Sequence, residues 1–404
     1  DRLLSRGLGD VYKRQAATQA SSVIKHIPLA LYVHIPWCER KCPYCDFNSH
    51  ENFDPSLESP YVDALLNDLD QQLGWAGGRE LVSIFFGGGT PSLFSGDAIL
   101  RILEGIQQRL RLAEHCEITL ESNPGSAEAQ KYDAYRHAGV NRLSIGVQSF
   151  NQRHLSKLGR IHSGDEASKA IALARSAGFD RLNIDLMYGL PDQTIEDGLE
   201  DISAGIEHGI DHFSWYQLTI ERNTAFWSAP PLLPTDDLIE PMQQKAEALF
   251  NAAGIAQYEV SAWSAPGQKS IHNLNYWQFG DYLAIGAGAH GKVTDATGVH
   301  RFNRTRHPKH YLEQFATPLT TPHSPQLRTI EPSDLPAEFM MNALRLKEGV
   351  DATLFEKRTA LSREVVRQNL EEQRRRGLME EDTTKLKATA RGYQYLDTLI
   401  EAFV

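Results

Sequence analysis

The sequence predicts an α/β fold, a partial (βα)6 barrel followed by a small C-terminal α/β module of winged-helix-like character. Short apolar runs of strand length alternate with helically periodic segments about six times, the pattern of a parallel sheet closed or partly closed into a barrel. Glycine or polar residues sit at the ends of these runs, where barrel strands gather their ligands. Past Arg304 the alternation gives way to helices and a short hairpin.

Composition sets the outer bounds. A chain of 404 residues, 41% hydrophobic, can bury a large core and hold one big domain plus a smaller one. Its net charge of -11 argues against a nucleic-acid binder relying on a broad basic surface. No apolar run approaches the roughly 18 to 20 residues of a membrane span, and no signal peptide is visible. A soluble protein without a transmembrane segment is expected, and clustered thiols that must stay reduced point to the cytoplasm. The opening stretch DRLLSRGLGDVYKRQ has neither periodicity nor a targeting pattern and resembles translated cloning sequence. Residues 1–15 are therefore expected to be a non-native extension, with the barrel over 16–304 and the C-terminal module over 305–404.

The first strand is the apolar run 30–35, and the loop after it carries three of the four cysteines, Cys38, Cys42 and Cys45, as C-x3-C-x2-C. Thiolates converging from one short loop suit an iron-sulfur cluster, being soft ligands that neutralise ferric charge. Phe47 stands where a further C-x-C ligand would fall, and Cys116 is remote in sequence. A 4Fe-4S cluster on three cysteines leaves one iron open to a ligand that is not protein. The alternatives are a zinc site completed by His34 or His50, or a redox or structural thiol cluster.

A helix is expected over 59–73, a buried strand over 81–86, then the run Gly87, Gly88, Gly89, Thr90, Pro91 and a helix over 96–110. Glycines there let backbone amides approach a ligand without Cβ atoms intervening. Further strands are expected at 117–121, 142–147, 181–187 and 212–219, with helices near 127–138 and 164–177. Glu121 and Gln148 end two of these strands, and Asp185 lies within a third. Singly, Glu121 reads as a helix cap, Gln148 as a turn anchor and Asp185 as half of an ion pair. Their shared address argues otherwise, because carboxylates buried at a barrel mouth are costly unless something binds them.

LYVHIPWC, the cysteine array, FFGGGTPSL, ESNPG, RLSIGVQSF, LGRIHS, NIDLMYGLPDQT, HNLNYW and GDYLAIGAGAHG together resemble the radical S-adenosylmethionine (SAM) superfamily. Within it they resemble the coproporphyrinogen III dehydrogenase-like branch and its HemW-type haem chaperones. The likeness runs from about Leu29 to the C-terminus. It implies a partial (βα)6 TIM-like radical SAM barrel, with Cys38, Cys42 and Cys45 holding a 4Fe-4S cluster whose open iron chelates SAM. By the same resemblance, Tyr32 and Tyr44 line the SAM site, and Gly88, Gly89, Thr90 and Glu121 take its methionine end. Gln148, Arg160 and Asp185 reach adenosyl or second-SAM groups, a guanidinium suiting a carboxylate. His272, opening HNLNYW, is implied in haem binding, with Tyr276 and Trp277 as flat apolar surface and His290 as a second candidate ligand.

The resemblance implies a haem chaperone that transfers haem to haem-requiring proteins such as membrane respiratory enzymes, through transient contacts with membrane-bound partners. The alternative is an oxygen-independent coproporphyrinogen III dehydrogenase-type oxidoreductase. Those dehydrogenases carry a fourth cysteine where Phe47 stands and a longer segment ahead of the loop.

The rest reads as an irregular Pro- and Thr-rich connector over 317–336, helices over 333–346 and 362–376, a hairpin of 378–381 with 386–388, and a helix over 391–403. Arg374, Arg375 and Arg376 lie beside Glu371 and Glu372, so they read as a solvated helix end rather than a DNA contact. The module is expected to cover the barrel mouth or to present a partner surface.

Overall fold

The computed structural model describes residues 26–317 and 327–404; residues 1–15 and part of the Pro- and Thr-rich connector lie outside them. Six parallel strands, β1 (Leu29–Ile35), β2 (Leu81–Gly88), β3 (Leu112–Ser122), β4 (Arg142–Gln148), β5 (Arg181–Tyr188) and β6 (His212–Gln217), lie side by side in chain order. They are the six expected runs. All six are largely buried; β1 and β2 read as nearly unbroken apolar stretches, while β3 to β6 intersperse polar residues.

Beyond β6 the sheet continues antiparallel through β7 (Ala256–Glu259) and β8 (Ala262–Ser264), in the spatial order β6, β8, β7. On the other flank β9 (Asp281–Ile285) joins β1 in parallel, followed by antiparallel β10 (His290–Asp295), β11 (Gly298–Asn303) and β12 (Arg328–Thr329). Sequence reading anticipated none of β7 to β12. The sheet has two edge strands, β12 and β7, so the barrel is open.

Strand alternation divides the residues between two environments. On β3 to β5 the apolar side chains of Ile118, Leu120, Leu143, Ile145, Leu182 and Ile184 join the large core under the helices. Their neighbours of opposite parity meet one another inside the barrel. There Glu117 pairs with Arg181 at 3.0 Å, and Asn183 donates to Ser144 at 2.7 Å and Asp185 at 2.8 Å.

The helices Glu58–Asp70, Gly96–Gln107 and Gly164–Ser176 fall where periodicity placed them. The last is held by a reciprocal cap: the Ser163 hydroxyl accepts from Glu166 N–H, and the Glu166 carboxylate accepts from Ser163 N–H at 2.9 Å. Ser163→Ala should cost about 1 kcal/mol of unfolding free energy, read from the urea midpoint. The helix expected over 127–138 is two pieces, Ser126–Ala129 and Tyr132–Ala138. Between them ψ flattens to -3° at Lys131, whose ammonium reaches the carbonyls of Ser92 and Leu93 at 3.0 and 2.8 Å.

The C-terminal module follows the order Leu335–Ala343, β13 (Val350–Asp351), Thr353–Thr359 and Glu364–Arg375, then a hairpin that bridges Met379 to Ala388 and pairs β14 (Lys385–Leu386) with β13. The helix expected over 391–403 breaks at Tyr395, where φ is -110° and ψ 45°. This module does not cover the mouth. Its core packs against Tyr258, Ala262 and Phe279, and Arg358 donates to the carbonyls of His26 and Gln278, which precede β1 and β9. It therefore closes the amino-terminal end of the strands, where those side chains offer apolar area to bury. Among the described residues no helix is long and apolar enough to cross a membrane.

Candidate functional site

The cysteine loop is built on the end of β1. Cys38 N–H donates to His50 carbonyl at 2.9 Å and His50 N–H to Pro36 carbonyl at 2.7 Å, which closes the loop at its base. The glycine run of β2 then clamps it from one side, with Gly89 N–H on Ile35 carbonyl and Thr90 N–H on Trp37 carbonyl, both at 2.7 Å. A Cβ on Gly89 would stand 2.4 Å from the Trp37 carbonyl oxygen, and one on Gly88, where φ is +117°, would meet the His34 ring at 2.6 Å. Two of the three glycines thus answer to the approach of the cysteine loop itself.

From the other side Asn48 Nδ2 donates to the carbonyls of Ala287 and Arg306 at 2.9 and 2.8 Å, tying the loop to the turn between β9 and β10 and to the segment after β11. Behind that turn lies a buried network. Asp68 pairs with Arg304, accepts from Tyr311 at 2.8 Å, and faces Gly286 N–H; Tyr61 donates to His34 carbonyl at 2.9 Å and accepts from Ala287 N–H at 2.8 Å.

Cys38, Cys42 and Cys45 are free thiols on the wall of one cavity of about 130 Å³. Tyr44, Gly88, Gly89, Thr90, Glu121, Gln148, Arg160 and Asp185 line the same cavity, so nearly every residue singled out from sequence converges there. Burial pushes the Cys38 and Cys45 thiols up from the ordinary range. Arg160 stretches from 3.5 Å off the Cys42 sulfur to Asn123 Oδ1 at 2.7 Å and Gly146 carbonyl at 2.9 Å. Asn123 in turn donates to Thr90 at 3.1 Å.

Gln148 holds φ of +66°, uncommon without a glycine, and its Oε1 accepts from Tyr216 at 2.9 Å. Tyr216 and Asn123 are wall residues that sequence reading missed. Asn123 lay inside the quoted ESNPG motif, while nothing local marked Tyr216. Cys116 is buried away from the cavity, its sulfur 3.9 Å from the Glu117 carbonyl.

Glu121 and Asp185 face this space as recessed acids. Removal from water pushes the Glu121 carboxyl up to about 8, the neighbouring Asp185 charge adds to the rise, and the Gly88 amide opposes it. Asp185 is raised by the same desolvation, against hydrogen bonds from Ser214 and Asn183. Two such acids favour a cation between them, and an ammonium group is the natural guest.

Tyr32 lies beyond this wall, on a second cavity of about 400 Å³ that shares Phe47, Gly88 and Glu121 with the first. His34, Tyr276, Tyr282, His290 and Arg306 also line it. His272 reaches neither cavity. It is 3% exposed, its Nδ1 meets Ser83 Oγ at 2.9 Å, and its ring stacks on Phe85 at 4.8 Å. Burial pushes its pKa to about 4, leaving a neutral imidazole. Glu117 pins the start of its helix, Ile271–Trp277, by accepting from the amides of Ile271 and His272 at 3.1 and 3.0 Å. Trp277 points elsewhere, under the Arg345 guanidinium at 4.3 Å.

The donor set fits an iron-sulfur cluster. His34 is committed on both nitrogens, Nε2 donating to Asn48 carbonyl at 2.9 Å and Nδ1 accepting from Tyr32 at 3.0 Å, so it cannot complete a zinc site.

Fold and site together define a protein built on the radical SAM plan with an added C-terminal domain. The Radical SAM superfamily model matches residues 32–203, and the HemN C-terminal domain model matches 330–395. Over 383 residues the chain is 47% identical to heme chaperone HemW of Escherichia coli strain K12, covering 95% of this chain and 100% of that one. Over 382 residues it is 44% identical to heme chaperone HemW of Haemophilus influenzae, covering 93% and 98%. The chain belongs to the heme chaperone HemW family. Coproporphyrinogen III oxidase (HemN) from Escherichia coli, a radical SAM enzyme, shares the fold with a TM-score of 0.78 at 22% identity, over 96% of this chain and 93% of that one.

Proposed function

We propose that this protein is a haem chaperone, binding haem and passing it to haem-requiring proteins, membrane respiratory enzymes among them, from the cytoplasm. The single observation that carries the reading is the pairing of two adjoining cavities: one ringed by three thiols and two recessed carboxylates, the other walled by aromatic rings.

In the first, Cys38, Cys42 and Cys45 hold a 4Fe-4S cluster, and Glu121 with Gly88, Gly89 and Thr90 receives the methionine end of SAM. Arg160, Gln148, Asp185 and Tyr44 complete that surround, with Tyr32 on the adjoining cavity. When bound, the cluster supplies a low-potential electron and an iron open to a non-protein ligand. The chain's own part is to hold the thiols, exclude water and place a carboxylate against an ammonium.

Phe47 is 62% exposed at the position where the resemblance gives the dehydrogenases a fourth cysteine. Anaerobic incubation of reconstituted protein with coproporphyrinogen III, SAM and reductant is therefore expected to yield no protoporphyrinogen. Haem titrated into the same preparation should bind and then leave for an added haem-free acceptor. Protoporphyrinogen formation, or a protein that never retains haem, would reverse this assignment.

A further inference from the structure

Gln148 reaches the thiol cavity through a backbone shape that a side chain resists. Its φ is +66°, and Ser149 N–H donates back to Val147 carbonyl at 2.9 Å, closing a three-residue turn around it. Such a turn with positive φ at its centre is rare and strained, and the strain persists only where the surroundings over-determine it. The ladder between β4 and β5 shifts register at this place, between Ile145 and Gln148, so regular pairing does not hold the turn.

Other elements grip it instead. His162 Nε2 donates to Val147 carbonyl at 3.0 Å, and Arg160 to Gly146 carbonyl at 2.9 Å. A third hold comes from the helix Ile195–Glu207, which follows β5. There Asp201, 3% exposed, accepts from Ser149 Oγ at 2.7 Å and from Phe150 N–H at 2.6 Å. Ser149 Oγ in turn accepts from Asn151 N–H at 3.0 Å. One carboxylate thus fixes the two residues that follow Gln148. Burying an acid is costly, and the two bonds that offset its burial both go to this turn.

On the other side of the turn, the Gln148 carboxamide lies on the wall of the thiol cavity, its oxygen held by Tyr216 at 2.9 Å. A Cβ on Gly146 would stand 3.1 Å from Gln148 Nε2, so the carboxamide folds back over a position that carries only hydrogen. With its oxygen taken, the nitrogen remains as a donor for an acceptor atom of the ligand. We propose that Asp201 is a positioning residue for SAM, clamping Ser149 and Phe150 so that the strained turn aims the Gln148 carboxamide at the bound molecule; this rests on the placement of SAM in the thiol cavity. Asp201 is not on the wall of that cavity, so its effect on binding passes through the turn.

The conservative replacement is Asp201→Asn. Burial pushes the Asp201 carboxyl up to about 7, against its bonds from Phe150 and Ser149. A neutral carboxamide of the same shape keeps its oxygen on Phe150 N–H and offers its nitrogen to Ser149 Oγ.

The test is a double-mutant cycle on SAM affinity, measured by calorimetry on full-length reconstituted protein. Asp201→Ala is expected to weaken SAM binding about tenfold with cluster absorption unchanged, and Asp201→Asn to stay within about twofold of the wild type. Gln148→Ala should also weaken binding about tenfold. Adding Asp201→Ala to Gln148→Ala should then cause no further loss, because the carboxamide that it aims is gone. Ser149→Ala removes one of the two bonds and serves if Asp201→Ala does not fold; a loss of about threefold is expected, absent again in the Gln148→Ala background.

Equal losses in the two backgrounds, or wild-type SAM affinity in Asp201→Ala, would make Asp201 a fastening of helix to sheet and overturn the proposal. A Gln148→Ala protein that binds SAM like the wild type removes the placement of SAM beside Gln148, and the proposal with it, before any Asp201 variant is compared.

Discussion

Alanine at Cys38, Cys42 or Cys45 is expected to abolish the broad charge-transfer absorption of the reconstituted protein, while Cys116→Ala leaves it unchanged. The three loop thiols face one cavity and are the only cysteines on its wall, so losing one leaves too few ligands to hold the cluster. Cys116 belongs to the strand β3 core, behind the barrel wall. Arg160→Met should give a milder phenotype. Its guanidinium, 3.5 Å from the Cys42 sulfur, stabilises thiolate charge without being a ligand, so cluster content should persist while SAM affinity falls. Iron and sulfide analysis beside the absorption spectrum decides the matter. Iron loss on changing Cys116 equal to that on changing Cys42 would mean that the ligand set is misassigned.

How far the sequence spoke depended on whether a partner was local. The six parallel strands were legible because each carries a short apolar run of strand length between helical segments, and the residues ending them fell on one cavity because barrel strands share a direction. Strand β9 was not, since its pairing partner β1 lies across most of the chain and no periodicity names it.

The HNLNYW segment divides its side chains between two surroundings. As a helix it places His272 and Tyr276 on one face, four residues apart, and turns Trp277 about 100° away. In the structure Trp277 serves the seam with the C-terminal module. That His272 points inward to Ser83 is a tertiary fact with no local sign. The glycine run was read as ligand-facing, yet much of its demand comes from Trp37 and His34 of the cysteine loop, again a contact between distant segments.

Glu121→Gln is expected to weaken SAM binding by about tenfold to a hundredfold, the loss of a charged hydrogen bond worth about 1.5–3 kcal/mol. The argument turns on protonation. With no cation bound, desolvation and the Asp185 charge hold the Glu121 carboxyl up at about 8, so at pH 7 it is mostly neutral. An incoming ammonium favours the carboxylate, and binding must therefore release a proton. Affinity should rise with pH toward 8, then fall as the ligand's own amino group, with a pKa of about 7.7–8.0, loses its charge.

The same shift sets a stability slope. Its folded pKa is above the ordinary 4.5, so Glu121 favours the folded state below that value, and the contribution is lost as pH rises through about 8. Glu121→Gln should flatten the decline in ligand-free stability between those limits. Calorimetric titrations of SAM at pH 7, in buffers of different ionisation enthalpy, give the proton count directly: close to one released for the wild type and none for Glu121→Gln. Equal affinity and equal proton release in the two proteins would place the methionine amino group elsewhere, with Asp185 the next carboxylate to test.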